Sequence, residues 1–484
     1  MGHRTPNGPP DSREEKAGFA GGPTRIQSQL TAARTPPAGP VGSEFHPTAD
    51  FHQHRLSVAE NPPRTAGGRP PWRQAAAVLV SALSMVIAAA LLDPVLVAPA
   101  GLRGVDFHIF YVAGWALLHG LDPYRASQLG RASLTAVGVA ISDPRGAFPY
   151  LPWVGWALTP WSLLPYTAAL PIWIAVSGAL VWGAARAWLR ALRWRRAWVF
   201  ALLSALSPIA FLGYQVGQLD AVLAALVVVV IVAAGRGHWF AAGLVSVVAT
   251  LLKPQVALPL VPLVLLFTFR ERGPLHRVLI GQAVSLALLV GVPSLLQPTA
   301  LRAWSLAVLS FSRGIAQPRA SLVGFPALLR LLPAGWHVNS GLTSPFTLLL
   351  VAVGTGVAVW LLRMTRGDLG ARMLRPERAG WEMLLPLAVW VLISPYVHPY
   401  DTLVLLPLVI LALGPGGVAL RRPQGWLLIS SLLVLPVAFL ISSDALAATA
   451  GPLTTLAVVI LVVFAVHQRR RARPLTTPRH ANLA

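Results

Sequence analysis

Carboxylates are scarce in this chain, so the side chains that could act as a general base can be counted. Its 484 residues include 17 Asp and Glu against 39 Lys and Arg. Beyond residue 72 the acids are Glu271, Glu377, Glu382, Asp93, Asp106, Asp122, Asp143, Asp220, Asp368, Asp401 and Asp444. Two of them, Asp106 and Asp122, enclose the aromatic stretch DFHIFYVAGWALLHGLD, which follows the first long apolar run.

Asp106 is the candidate general base. The apolar spacing of the residues that follow it predicts an interfacial helix beginning near this position. A carboxylate at a bilayer surface lies in a low-dielectric environment, which raises its pKa towards a value useful for proton abstraction. The alternative is that Asp106 is the N-cap of the helix, a position where Asp is preferred. Asp122, in GLDPY, is interpreted as a turn residue after the helix.

Lys253 is the second candidate, because it is one of only two lysines in the chain and the other is Lys16. Arginine supplies nearly all the remaining positive charge. A lone lysine before Pro254, at a predicted helix boundary, therefore suggests a point-charge contact to a phosphate. The alternative is a lysine whose stem extends along apolar surface while its amine reaches water.

Two short corners between apolar runs hold the remaining candidates. The corners are LGYQVGQLD and SPYVHPYD, and the candidate binding residues in them are Tyr214, Gln215, Gln218, Asp220, His398 and Tyr400. His398 could bind a phosphate or an acceptor hydroxyl. The alternatives are hydrogen bonds between helices for the first corner and an interfacial aromatic cluster for the second.

Several kinds of chemistry are excluded by missing motifs. The chain has no cysteine, which excludes disulfides, thiolate metal sites and cysteine nucleophiles. It has no DxD pair, which argues against a metal-bound nucleotide sugar as donor. The P-loop, HExxH and GxSxG motifs are also missing. We therefore expect neither a metal nor a cofactor.

The composition indicates that these residues are positioned by membrane-spanning helices. Hydrophobic residues make up 55% of the chain and charged residues 12%, and the mean hydropathy is +0.63. This is more apolar side chain than a soluble domain can bury, so we expect an integral membrane protein. The formal net charge of +22 lies in short arginine clusters between apolar runs. That distribution favours membrane topology over nucleic-acid binding.

The arginine clusters predict a topology by the positive-inside rule. We expect twelve spanning helices, with both termini in the cytoplasm. The predicted spans are residues 74–97, 167–186, 197–214, 217–234, 238–252, 255–269, 278–297, 345–363, 381–394, 400–416, 425–441 and 446–466. Residues 98–147 and 298–344 are predicted to be long outer loops. Residues 148–166, which are interrupted by four prolines, are predicted to be re-entrant or interfacial.

The chain divides into three predicted parts. Residues 1–72 have the composition of a disordered arm, which this topology makes cytoplasmic. Residues 73–466 form the transmembrane domain, and residues 467–484 are a basic cytoplasmic tail. The candidate residues fall on the outer side of a cell membrane. Because polar groups near a bilayer are costly unless they are satisfied or used, their convergence on one side indicates a site.

Six stretches, in their order along the chain, resemble glycosyltransferase family 87. They are DFHIFYVAGWALLHGLDPY, FPYLPWVGWALTPWSLLP, YQVGQLDAVLAALVV, LLKPQVALPLVPLVLL, SLVGFPALLRLL and SPYVHPYDTLVLLPL. The resemblance extends over residues 74–466 and rests on the order of the stretches. It implies an all-α, multi-span bundle of the GT-C type and a polyprenyl-phosphate-mannose-dependent mannosyltransferase of actinobacterial envelopes, with α-1,2 transfer expected.

The resemblance also implies roles for residues. Asp106 would deprotonate the acceptor hydroxyl in an inverting transfer, and Lys253 and His398 would meet the leaving phosphate. Gln215 and Gln218 would lie near the sugar or the acceptor. The implied partners are a polyprenyl-phosphate sugar donor and a glycolipid or polysaccharide acceptor. An arabinofuranosyltransferase on the same scaffold and a lipid or solute transporter are the alternatives.

Overall fold

The computed structural model describes residues 104–140, 148–314, 322–325, 375–394, 396–413 and 444–471, with residues 349, 352, 353 and 356. Of residues 310–314, 444–450, 470 and 471 only the backbone is described. Within these ranges every regular element is a helix and there is no strand, which confirms the all-α class for this part of the chain. Predicted spans 74–97 and 425–441, and most of 345–363, lie outside the described residues.

Two helices and a broken segment come first. Helix α1 is Val105–Leu118 and α2 is Ala126–Val137. Helix α3 (Pro152–Leu158) runs into a single 3₁₀ stretch, Thr159–Leu163, and both begin with proline in the first turn. Proline fixes φ and lacks an N–H, so it kinks or breaks a helix, which accounts for the short lengths of the two pieces. Residues 148–166 contain none of the described helices that are long enough to cross a bilayer. Their re-entrant or interfacial placement stays a prediction.

The turn between α1 and α2 is stabilised by Asp122. The Tyr124 N–H donates to Asp122 Oδ1 over 2.9 Å, and Arg125 Nε lies 3.4 Å from Asp122 Oδ2. A carboxylate that accepts from the backbone two residues later is a common turn device. The interpretation of Asp122 as a turn residue is therefore confirmed.

The middle of the chain consists of helices separated by short corners. They are α4 (Tyr166–Ala191), α5 (Ala197–Ala205), α6 (Pro208–Val216), α7 (Asp220–Gly235), α8 (Trp239–Leu252), α9 (Pro254–Ala257), α10 (Leu260–Arg270) and α11 (Leu275–Leu296). Helix α11 contains a π-helical stretch at Ala287–Gly291.

The remaining described helices come from the C-terminal half of the chain. Helix α12 is Ala300–Gly314 and α13 is Arg375–Ile393. A 3₁₀ segment, Pro399–Leu405, leads into α14 (Leu406–Leu413), and α15 is Asp444–Arg471. Both predicted outer loops therefore contain helices, because α1 and α2 fall within residues 98–147 and α12 within residues 298–344.

Three of the described helices are long and apolar enough to cross a bilayer. They are Tyr166–Ala191, Leu275–Leu296 and Gly451–Arg469, and α5 with α6 makes a fourth if that pair, bent by 47°, is one span. The helices at the other predicted spans are shorter except for α13, which has 19 residues and is not among the three. Helix α7 has 16 residues, or about 24 Å, against a hydrocarbon core of about 30 Å. The membrane class is supported, whereas the count of twelve spans stays a prediction.

Helix α7 lies at the centre of the packing that builds the site. It contacts α4, α8, α13 and the 3₁₀ segment Pro399–Leu405. Most of its side chains are buried, as Leu223, Val227 and Ile231 illustrate, whereas Val229 is exposed. A helix that is apolar all round belongs in the interior of a bundle. Asp220, at its first position, is the polar exception to this apolar surface.

Helix α8, which neighbours α7, is held in place by a close crossing with α11. Helices α8 and α11 cross at Gly243 and Gly281, where an added Cβ would strike the carbonyl oxygens of Val278 and Phe240 on the opposite helix. Small residues that let two backbones approach are the usual packing device of membrane helices. The crossing fixes α8, and α8 ends directly at Lys253.

Candidate functional site

The start of α1 determines where Asp106 lies. Gly104 precedes the helix with φ of 61°, which glycine adopts without strain. Its N–H donates to the carbonyl of Gln215 over 2.9 Å, which ties α1 to the end of α6. Asp106 is the second residue of the helix, and no side chain caps this helix end. The N-cap alternative is therefore wrong, and the carboxylate is directed elsewhere.

The corner between α6 and α7 brings Gln218 to Asp106. Gly217 ends α6 with φ of 75°, and a Cβ added there would lie 2.5 Å from Cβ of Phe107. Glycine is thus required both by the left-handed conformation and by the close approach of α1. The next residue, Gln218, donates from Nε2 to Asp106 Oδ2 over 2.8 Å.

The orientation of the Gln218 amide follows from its other contacts. Lys253 Nζ and the Leu219 N–H donate to Gln218 Oε1 over 3.2 and 3.1 Å. The Tyr150 hydroxyl donates to the same oxygen over 3.4 Å. Because an ammonium and a backbone N–H can only donate, the atom they face must be the amide oxygen. The NH₂ group must then face Asp106.

Lys253 joins two carboxylates to Gln218. It lies between α8 and Pro254, and its Nζ donates to Asp220 Oδ1 over 2.8 Å and to Asp401 Oδ1. The Nζ also lies 5.2 Å from the centre of the Tyr400 ring. An ammonium has three donors, and Gln218, Asp220 and Asp401 accept all three. In this arrangement no donor of Lys253 remains for a phosphate oxygen.

Asp401 links this group to the C-terminal part of the chain. Its second oxygen, Oδ2, accepts from the His398 N–H over 2.7 Å, and the pair forms a reciprocal cap at the start of the 3₁₀ segment Pro399–Leu405. The ring of His398 stacks on Tyr400 at 5.0 Å and meets the edge of Tyr396 at the same distance. The capping geometry therefore fixes both Asp401 and the aromatic surface beside it.

We call Asp106, Gln218, Asp220, Lys253 and Asp401 the Lys253 cluster. Lys253, Asp220 and Asp401 are each at most 2% exposed. The cluster thus has three carboxyl groups and one ammonium in a largely buried place. Asp220 Oδ2 is buried, and no described residue hydrogen-bonds to it. Because buried charge is costly unless it is paired, an excess of carboxyl groups is typical of a functional site.

Asp106 is the member of the cluster that can meet a substrate. Its side chain is only partly buried, and Oδ2 is occupied by Gln218. Among the described residues none donates to Oδ1, and that oxygen is not among the enclosed atoms that lack a partner. Burial raises the pKa of Asp106 to about 6, although the Gln218 hydrogen bond and the charge of Lys253 act in the opposite direction. A carboxylate with this pKa and one open oxygen can accept a proton.

The sequence profile of glycosyltransferase family 87 matches residues 148–395 of the chain. The protein belongs to glycosyltransferase family 87. A family 87 chain is a membrane glycosyltransferase, which acts on a sugar donor and an acceptor. The matched range includes Gln218, Asp220 and Lys253, whereas Asp106 and Asp401 lie outside it. A search of curated proteins finds no match to this chain.

For this family 87 protein, the structure brings together most of the candidate residues from the sequence. Asp106, Gln218, Asp220 and Lys253 are connected by hydrogen bonds, and Tyr400 lies over Lys253. His398 contacts the cluster through its backbone and Tyr400 through its ring.

Two candidates lie apart from these contacts. The Tyr214 hydroxyl donates to the carbonyl of Ala205 over 3.1 Å and is buried in a separate apolar group with Leu403. Gln215 holds Gly104 through its backbone carbonyl, and its side-chain Oε1 is buried without a described hydrogen-bond partner. These contacts support a packing role for Tyr214, and Gln215 stays a candidate for binding.

Two members of the site were not among the candidates from the sequence. Asp401 is one of the acids beyond residue 72 but not a candidate site residue from the sequence, and Tyr150 lies in the proline-rich segment, which supplies no candidate. The sequence holds a usable signal for Asp401, because a lone lysine within an apolar region needs a carboxylate partner and Asp401 directly follows the candidate Tyr400. No comparable signal pointed to Tyr150, whose contact with Gln218 depends on how α3 packs.

Proposed function

We propose that this family 87 protein transfers mannose from a polyprenyl-phosphate donor to a hydroxyl of an envelope glycolipid or polysaccharide. The transfer takes place on the outer face of the cell membrane, inverts the anomeric centre and forms an α-1,2 linkage. The observation that carries the proposal is the state of Asp106, which combines a raised pKa, one oxygen held by Gln218 and one oxygen open to a substrate.

The bond changes balance without a further reactant. Asp106 takes the proton of the acceptor hydroxyl as that oxygen attacks the anomeric carbon of the donor sugar. The new carbon–oxygen bond forms while the bond from the anomeric carbon to the phosphate oxygen breaks. The polyprenyl phosphate leaves with the electron pair, and Asp106 leaves the step protonated. Attack opposite the leaving group inverts the anomeric configuration.

The leaving phosphate needs positive groups or N–H donors near its oxygens. His398 is our candidate for this contact, because its side chain is partly exposed beside Tyr400, at the edge of the Lys253 cluster. Lys253 was also expected to bind the phosphate. Its three acceptors within the cluster favour a different role, which is argued in the next subsection.

A transfer assay tests the proposal. Membranes containing the protein would be supplied with labelled polyprenyl-phosphate mannose and a mannosylated glycolipid acceptor. We expect Asp106→Asn to lower the transfer rate by at least about 100-fold, because a positioned base contributes about 10²–10⁴, while the variant remains folded. Asp122→Asn is the matched control and should keep transfer near the wild-type rate. If the Asp106→Asn variant transferred mannose at the wild-type rate, Asp106 would be rejected as the base.

The same assay distinguishes the alternatives. Transfer from polyprenyl-phosphate arabinose alone would reject mannose as the sugar and support an arabinofuranosyltransferase. Movement of a labelled lipid across the membrane without any new glycosidic bond would instead support a transporter.

The proposed side of the membrane is tested by cysteine labelling, since the chain has no native cysteine. His119 and His276 are both exposed, and the predicted topology puts them on opposite sides. In intact cells we expect a membrane-impermeant maleimide to label His119→Cys and not His276→Cys. Labelling of His276→Cys alone would reverse the orientation and remove the outer site.

A further inference from the structure

We propose that Lys253 is a positioning residue, held by Asp220 and Asp401, which fixes the Gln218 amide so that Gln218 in turn orients Asp106 towards the acceptor. This inference rests on the proposed role of Asp106 as the base. It gives Lys253 a role in setting the geometry and proton affinity of that base, in place of a contact to the donor phosphate.

The first step of the argument is saturation of the ammonium. Lys253 Nζ donates to Gln218, Asp220 and Asp401, and the side chain is 2% exposed. A phosphate could reach Lys253 only by displacing one of these three acceptors. A displaced carboxylate would be left buried and unpaired, and a displaced Gln218 amide would lose the charged donor that fixes its orientation. Removing one partner of a buried ion pair is strongly unfavourable. The cluster is thus complete before any donor binds.

The second step is transmission through Gln218. Without Lys253, the amide oxygen of Gln218 would lose its charged donor and would keep the Leu219 N–H and the long contact from Tyr150. The amide could then turn, and its oxygen could face Asp106 in place of the NH₂ group. Two acceptors would meet, Asp106 would lose its hydrogen bond, and Oδ1 would no longer be held towards the acceptor.

The third step concerns the proton affinity of Asp106. Burial raises its pKa, the Gln218 hydrogen bond and the Lys253 charge lower it, and the Asp401 charge raises it. The hydroxyls of Tyr150 and Tyr400 are the other titratable groups that interact with Asp106. Loss of Lys253 removes one positive charge and leaves Asp401 less neutralised. Both changes act in the same direction and raise the pKa of Asp106.

The test measures the pH profile of kcat and the KM for polyprenyl-phosphate mannose in Lys253→Met and Gln218→Glu. For Lys253→Met we expect kcat to fall about tenfold to 100-fold through misplacement of the base. The KM for the donor should change less than about twofold, since a group that does not bind the donor does not set its affinity. The acid limb of the profile should move to higher pH by about one unit.

Gln218→Glu keeps the shape of the side chain and replaces the NH₂ group facing Asp106 with a carboxylate oxygen. We expect the acid limb to move upwards here too, because a like charge at hydrogen-bond distance disfavours ionised Asp106. This variant retains an acceptor for Lys253, so it also decides the question if Lys253→Met fails to fold. A folded Gln218→Glu enzyme with the wild-type acid limb would overturn the proposal.

Glu382→Gln is the matched control, because Glu382 is also nearly buried and pairs with Arg270 over 3.0 Å outside the Lys253 cluster. It should lower thermal stability and leave the acid limb at the wild-type pH. A rise in donor KM in Lys253→Met, with an unchanged acid limb, would assign Lys253 to the phosphate and overturn the inference. Full transfer by Asp106→Asn would instead reject the proposed base, so the two failures are distinguishable.

Discussion

Two groups of charged side chains in this protein differ in composition and in exposure. The Lys253 cluster has one cation and three carboxyl groups, and its ion pairs are at most 2% exposed. The second group, here called the arginine–glutamate group, has more cations than acids and lies on the predicted cytoplasmic side. Its members are Arg270, Glu271, Arg375, Arg378 and Glu382, whose pairs are between 10% and 69% exposed.

The difference indicates which group serves chemistry. In the arginine–glutamate group each acid faces at least one arginine, Glu271 faces two, and water reaches the cations. Such pairs join helices and follow the topological bias of arginine, and each contributes little to stability. In the Lys253 cluster the carboxyl groups exceed the cation, and one oxygen of Asp220 has no described partner. Such an imbalance of buried charge is more typical of functional sites than of structural ion pairs, and it supports the role proposed above for the Lys253 cluster.

The largest expected effect on stability comes from Lys253→Met. This substitution removes the only cation of the Lys253 cluster and leaves the carboxyl groups of Asp220 and Asp401 buried without their ion-pair partner. We expect the free energy of unfolding to fall by about 3–5 kcal/mol. Thermal unfolding of the detergent-solubilised protein measures this loss. The double variant Lys253→Met with Asp401→Asn should regain part of it, because one fewer carboxylate is then unpaired. Equal stability of the single variant and the wild type would contradict the burial of this ion pair.

A smaller change of opposite sign is expected for Asp106→Asn at neutral pH. The pKa of Asp106 is raised to about 6 in the folded protein from 3.8. The folded state therefore binds more protons than the unfolded state between these values, and folding stability falls as pH rises from about 4 to about 6. Asparagine removes this loss, so the variant should be more stable than the wild type at pH 7.

Below pH 4 the carboxyl is protonated in both states, and the advantage of Asp106→Asn should disappear. Unfolding midpoints of the two proteins from about pH 3 to about pH 7 provide the measurement. If the variant were less stable than the wild type at pH 7, the charge of Asp106 would stabilise the fold. Asp106 would then resemble the acids of the arginine–glutamate group, and the comparison between the two groups would weaken.

The sequence predicts the members of the Lys253 cluster better than their pairing. Topology brought Asp106, Gln218 and Lys253 to one surface, because each follows or precedes an apolar run of spanning character. It could not predict that Lys253 donates to Asp220 and Asp401. Partner choice depends on Cα positions set by the close packing of α7, α8 and the 3₁₀ segment Pro399–Leu405, and hydropathy does not encode these positions.

The helix lengths were predicted less well for a similar reason. Hydropathy finds where apolar residues run, and it predicted spans at α4 and α11, which are long and apolar enough to cross a bilayer. A hydropathy average does not detect a helix break caused by a single proline. The predicted span 197–214 is in fact two helices, which meet at Ser207 and Pro208 with a bend of 47°. The 14 residues of α8 likewise end at Lys253 and Pro254, since proline disfavours helical backbone in the residue before it.

Glu271→Gln tests the arginine–glutamate group with a moderate expected effect. Glu271 lies 2.8 Å from Arg378 and 3.7 Å from Arg375, and it is partly shielded from water. Glutamine keeps an acceptor and loses the charge, so we expect a destabilisation of about 1 kcal/mol in thermal unfolding, with the pH profile of transfer unchanged. A loss as large as that of Lys253→Met would remove the distinction between the two groups.

Arg375→Gln should have the smallest effect. The arginine is 69% exposed, and its Nε lies 3.7 Å from Glu271, whose other oxygen keeps Arg378. Water and salt screen such a contact, so the change in unfolding free energy should stay below about 0.5 kcal/mol. The difference between wild type and variant should also vanish in 0.5 M NaCl, where the screening length is about 4 Å.

The same salt concentration should leave the loss of stability in Lys253→Met nearly unchanged, because ions cannot enter a buried pair. If salt instead reduced both losses equally, the Lys253 cluster would be open to solvent, and its excess of carboxyl groups would lose its functional meaning.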